Sequence, residues 1–89
     1  MSLGYKILIN PKAKKQLQKL DFSLCQRIAK LFDTLQTIGN PRNKGKPLVA
    51  NLAGFWRYRV GDWRIICEIV DSSNCIYVID IRHRSEVYK

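Results

Sequence analysis

With 89 residues, 46% of them hydrophobic, the chain reads as a single domain spanning 1–89 with one modest core, which excludes a disordered or multi-domain protein. Lysine and arginine number 16 against 7 acids; the resulting charge of +9 favours a polyanionic partner, with nucleic acid first. Three cysteines and one histidine form no Cys-x-x-Cys pair, so no metal, cofactor or disulfide framework is expected; reduced thiols fit the cytoplasm, and the absence of a long apolar run argues against a membrane.

Tyr5 to Ile9 alternates between apolar and polar positions and reads as a first strand. Asn10-Pro11 is an N-cap followed by proline at the first helical position, so helix one should cover about Pro11 to Lys19. Ser23 with Gln26 matches a capping box for helix two. Leu24, Ile28, Leu31, Leu35 and Ile38, with Phe32 alongside, then repeat at helical spacing until Gly39-Asn40-Pro41 ends the helix. Pro41 to Pro47 is a basic, turn-rich loop holding Arg42, Lys44 and Lys46, and Leu48 and Leu52 are expected to anchor the next segment to the core.

Phe55 to Ile69 reads as a β-hairpin, with alternating runs around a Gly61-Asp62 turn. A two-residue turn fixes the register: Val60 opposite Trp63, Arg59 opposite Arg64, Tyr58 opposite Ile65, Trp56 opposite Cys67. Trp56, Tyr58, Val60, Trp63, Ile65 and Cys67 then share the core face, and Arg57, Arg59 and Arg64 share the other. Like charges set side by side destabilise a sheet, so this face asks for an anion. A turn at Asp71 to Asn74 leads to a final strand at about Cys75 to Ile81, then a tail from Arg82. The order is β-α-α-β-β-β: an α+β fold, one small, mostly antiparallel sheet with a two-helix hairpin packed on one face. The register of the last strand stays open. A five-residue loop after Val70 would set Arg82 opposite Arg64; a four-residue loop would set Ile81 there and turn Arg82 to the core side.

The pattern Leu52-x-Gly54-x-Trp56-Arg57-Tyr58-Arg59-Val60-Gly61-Asp62-Trp63-Arg64-Ile65, with the ending Arg82-His83-Arg84-Ser85-Glu86-Val87-Tyr88, resembles the RelE/ParE superfamily of toxin–antitoxin toxins, and the ending points to the RelE branch. The resemblance covers essentially the whole chain. It implies a toxin that enters the ribosomal A site and cuts mRNA there. It also implies a cognate antitoxin, and operator DNA bound through the antitoxin complex. Carried onto this sequence, the catalytic set is Arg57, Arg59, Arg64, Arg82, His83 and Tyr88, with Arg84, Lys44 and Lys46 touching RNA. The chemistry is attack by a 2′-hydroxyl on the adjacent phosphate, which needs charge neutralisation that arginine forks supply. The type member of the RelE branch carries lysines where this chain has Arg57 and Arg59, and arginine does not readily give up its proton. That leaves the proton acceptor open: His83, whose ordinary pKa suits proton transfer, is one candidate, with Glu68 and Glu86 as weaker ones. The alternatives are a ParE-like toxin that inhibits DNA gyrase without cutting RNA, and a degenerate protein that only binds its antitoxin.

Overall fold

In the computed structural model, which describes residues 4–87, the hairpin has the register read from its turn. Trp56 pairs with Cys67, Tyr58 with Ile65, Arg59 with Arg64 and Val60 with Trp63. Gly61 takes φ +58 while Asp62 keeps a negative φ, the pattern of a type II′ turn, whose twist matches that of the strands. The hairpin strands are β3 (Trp56–Val60) and β4 (Trp63–Val70). Around them lie β1 (Lys6–Ile9), α1 (Pro11–Gln18), α2 (Phe22–Thr37), β2 (Lys46–Pro47), β5 (Cys75–His83) and α3 (Arg84–Val87). The five strands form one open sheet in the order β1-β5-β4-β3-β2, with β1 parallel to β5 and the other neighbours antiparallel.

Asn10 caps α1, its side chain accepting from the Ala13 N–H at 2.8 Å. The expected capping box at Ser23 is not used. Asp21 accepts from the Leu24 N–H at 2.8 Å, so α2 starts at Phe22 and Ser23 sits inside its first turn. A carboxylate at that place also meets the positive end of the helix dipole, which favours it over a hydroxyl two residues later. Ile28, Phe32 and Leu35 carry the buried stripe of α2 onto Tyr58, Val60, Ile65, Cys67, Ile76, Val78 and Ile81 of the sheet. Burying each large apolar side chain there contributes about 1.5–3 kcal/mol. Tyr58 is buried with its hydroxyl donating to the Pro41 carbonyl at 2.8 Å, which ties the end of the α2 loop to the sheet.

Three expectations are corrected. The segment after α2 adds the short strand β2 to the β3 edge, which the loop reading missed because two residues carry no periodicity. Leu48 and Leu52 do not join the core; Leu48 is half-buried and Leu52 exposed, because this segment runs along the sheet edge and not across the helix-covered face. The last strand also runs two residues further than expected, taking in Arg82 and His83.

Candidate active site: an arginine row across three strands

Register decides which side chains meet. Pairing sets Arg59 of β3 opposite Arg64 of β4, and Arg64 opposite Arg82 of β5. The three form one row across the sheet. The parallel row two positions along is Lys46, Arg57, Ile66 and Asp80. The row between them, Tyr58, Ile65 and Ile81, points into the core.

Arg64 stands at the centre and is only 6% exposed. Its Nε and Nη1 are buried and find no hydrogen-bond partner among the described residues. Guanidinium stays charged at any physiological pH, and a buried charge without a partner costs several kcal/mol. Among the described residues, then, the centre of the row is a cation without an anion, flanked by two more cations.

Arg82 reaches this row by a detour. The loop after Val70 has four residues, since Val70 pairs with Cys75. That is the length that would turn Arg82 to the core side. A bulge corrects it: Cys67 pairs with Val78 and Ile66 with Asp80, so Ile79 is the extra residue and the faces swap. The bulge is held from α1. Beyond Ile9 the outer edge of β5 has no strand beside it, and α1 takes that place. Asn10 donates through its backbone to the Val78 carbonyl at 3.0 Å and through its side chain to the Ile79 carbonyl at 3.3 Å. Gln16 accepts from the Ile81 N–H at 2.8 Å and donates to Asp80 Oδ1 at 2.8 Å. Asp80, 7% exposed, also has Lys12 Nζ at 3.5 Å and accepts from Arg82 Nε through its other oxygen. Burial pushes the Asp80 carboxyl up, but hydrogen bonds from Gln16 and Arg82 and the charges of Arg82 and Lys12 outweigh it and hold it below the usual carboxylate range.

The approach to the row is basic. Lys44, Gly45, Lys46, Arg57, Tyr58 and Arg59 line a groove of about 350 Å³. Trp56 Nε1 donates to the Lys44 carbonyl at 2.7 Å and clamps this loop onto β3. Gly45 has φ +75, and a Cβ there would lie 2.3 Å from the Arg57 carbonyl oxygen, so only glycine lets the loop come so close. A neighbouring groove of about 450 Å³ adds Arg27 and Lys30 from α2 to Lys44 and Arg59. Arg27 and Lys30 were not singled out from the sequence, although their three-residue spacing on the polar side of α2 was a usable signal.

His83 is not brought to the arginines. It pairs with Trp63 on the opposite face, with ring centroids 5.2 Å apart at 81°. Its Nδ1 accepts from the Ser85 N–H at 3.2 Å and lies 2.9 Å from the Ser85 hydroxyl, so the ring caps the start of α3. Arg84 leads α3 beside the hairpin turn, its N–H donating to the Asp62 carbonyl at 2.7 Å and its guanidinium 3.9 Å from the Asp62 carboxylate. Glu68 is exposed on the arginine side, further along β4 than Ile66, and Glu86 is exposed on α3. Tyr88 lies outside the described residues. Among the described residues, no three His, Cys, Asp or Glu side chains gather as a metal cage, and no helix is long and apolar enough to cross a membrane.

Comparison with known proteins meets this geometry. The family described as ParE toxin of type II toxin-antitoxin system, parDE, matches residues 7–88. The chain is 31% identical over 86 residues to Toxin RelE of Mycobacterium tuberculosis, covering 96% of this chain and 87% of the relative. It is 27% identical over 88 residues to Toxin RelG of the same organism, covering 98% and 99%. The solved toxin–antitoxin complex RelBE2 of M. tuberculosis has a chain that aligns with a TM-score of 0.79 at 25% identity, over 92% of this chain and 93% of that one. The archaeal RelE–RelB complex of Pyrococcus horikoshii shares the fold, with a TM-score of 0.72 at 24% identity over 90% of this chain and 94% of that one.

Proposed function

Since the chain belongs to the ParE toxin family, within the RelE/ParE superfamily of type II toxin–antitoxin toxins, we propose that it is a toxin that cuts mRNA on the ribosome and so stops translation. The observation that carries this reading is Arg64: a buried guanidinium with two nitrogens that find no partner among the described residues, centred between Arg59 and Arg82. A phosphate suits this row, because its oxygens accept paired N–H bonds from arginine forks and its charge cancels the row's repulsion.

The 2′-hydroxyl of one nucleotide attacks the adjacent phosphorus and gives up its proton to solvent, the bond to the 5′-oxygen breaks, and that oxygen takes a proton from solvent, leaving a cyclic phosphate and a free 5′-hydroxyl. Arg64 holds the non-bridging oxygens as their charge grows, with Arg59 and Arg57 beside it. Arg82 serves the leaving-oxygen side. Lys44, Lys46 and Arg84 hold flanking phosphates, where each contact adds salt-sensitive affinity. Tyr88 follows α3 in the chain and is assigned to stacking on a base or orienting the attacking hydroxyl, on sequence alone. His83, turned towards Trp63, is left out of the proton path.

An antitoxin keeps such a toxin silent, and the charge of +9 calls for an acidic or amphipathic segment laid over the basic face. That several similar chains are solved in toxin–antitoxin complexes supports this partner. A second reading, inhibition of DNA gyrase, is favoured by the ParE description of the matching family. Primer extension on mRNA in a translation reaction separates the two. Cleavage sites that appear only with ribosomes and vanish in Arg64→Ala support the ribonuclease; intact mRNA with stalled supercoiling supports the gyrase inhibitor.

A further inference from the structure

We propose that Asp80, clamped by Gln16 of α1, is the positioning residue that holds Arg82 in the row beside Arg64. The inference deepens the ribonuclease reading and rests on it for the part Arg82 plays.

Left alone, Arg82 would leave the row. It is a long side chain at the rim of the sheet, 44% exposed, and it faces the uncompensated charge of Arg64. Repulsion and rotamer entropy both favour swinging out to solvent. Asp80 opposes this. It lies two residues earlier on the same strand face and takes the Nε–H of Arg82 on Oδ2. Binding through Nε leaves both Nη groups free, and these are the paired donors a phosphate needs. The carboxylate also partly offsets the repulsion between the two arginines.

Asp80 can do this because it is itself fixed. Gln16 binds its Oδ1, and the other end of the Gln16 amide is committed to the Ile81 N–H, so the amide cannot flip. Lys12 adds a charge on the same oxygen. With Gln16, Lys12 and Arg82 on its two oxygens, Asp80 is engaged as an acceptor and acts through Arg82. Asparagine at this position would turn an NH2 towards either Arg82 Nε–H or the Gln16 amide, so one of the two contacts must open.

The test has two arms on the full chain. In ribosome-dependent mRNA cleavage, Asp80→Asn should lower the rate by up to about 100-fold, the cost of a misplaced catalytic group. Asp80→Asn/Arg82→Ala should then be no slower than Arg82→Ala alone. Gln16→Met, which keeps the Asp80 charge, should give a smaller loss that also disappears in the Arg82→Ala background. In the second arm, the arginine Nε–H signals are followed by 15N NMR with inorganic phosphate as probe. Arg82 should show a protected Nε–H in the wild type that is lost in Asp80→Asn and Gln16→Met, with weaker phosphate response. Losses that multiply in the double variant, or an Arg82 Nε–H equally protected without Asp80, overturn the proposal. A wild type that cleaves no mRNA sinks the ribonuclease reading instead, and the NMR arm still decides whether Asp80 holds Arg82.

Discussion

Arg64 and Arg82 stand directly opposite each other on β4 and β5, although the turn joining these strands has the length that would have put them on different faces. One extra residue, Ile79, reverses the alternation between the turn and the row, and α1 secures it through Asn10. The encounter of two like charges is therefore built by a specific device and held by a helix. It has consequences for both activity and stability.

Arg64→Met should uncouple the two. Replacing a buried, unpartnered guanidinium by an apolar chain of similar length removes its desolvation cost, so the variant should be more stable by about 1–4 kcal/mol. For a domain of this size that raises Tm by about 4–8 °C per kcal/mol. Cleavage should be lost. Calorimetry and primer extension on one preparation check both; a destabilised Arg64→Met would show that the guanidinium is satisfied in the free protein.

Tyr58→Phe removes a hydroxyl whose partner, the Pro41 carbonyl, is left without its donor. The expected loss is about 1–3 kcal/mol, because a buried acceptor goes unsatisfied. Urea unfolding should show a lower midpoint with an unchanged m-value.

Gly45→Ala must strain a backbone at φ +75 and press a methyl group against the Arg57 carbonyl. A loss of at least about 1–3 kcal/mol is expected from the strained conformation alone. Relief would come by lifting the loop off β3, which opens the hydrogen bond from Trp56 to Lys44. A shift in tryptophan emission alongside the lowered Tm would report that movement.

Acid should weaken the fold through Asp80. Its carboxyl is held below the ordinary value, so the folded state favours the ionised form. That stabilisation is fully present above the unfolded pKa of about 3.9 and drains away as pH falls through the lower folded value. Asp71, lowered by hydrogen bonds from Arg42 and Tyr5, acts in the same direction, weakened by solvent screening at its exposed position. Urea midpoints between pH 6 and pH 2 should therefore fall on the acid side, with a shallower fall in Asp80→Asn. An equal fall in both proteins would remove Asp80 from the account.

The hairpin was legible because a Gly-Asp turn of two residues leaves one register, and the side-chain period of two then assigns every face. The stripe on α2 was legible for a similar reason, since its spacing has one helical solution. Arg82 was not legible, because a bulge has no composition of its own and comes here from contacts with Asn10 and Gln16, far away in the chain. The same distance hid Gln16 and Asp80. The place of His83 was hidden by the same bulge: its chemistry suits proton transfer, and alternation along β5 sets it beside Trp63 once Arg82 faces Arg64. At Ser23 a valid capping pattern lost to the better-placed Asp21.

The pairing of the first strand with the last also has a temporal side. Lys6 to Ile9 pair with Cys75 to Val78, and the Lys6 N–H also donates to the Asn74 carbonyl, so β1 waits for a strand far along the chain. The arginine row likewise stays incomplete until β5 adds Arg82. Contacts so far apart in sequence form late, since the loop they close must be ordered first. A growing chain of this protein therefore lacks its complete anion site until β5 is free to pair with β4.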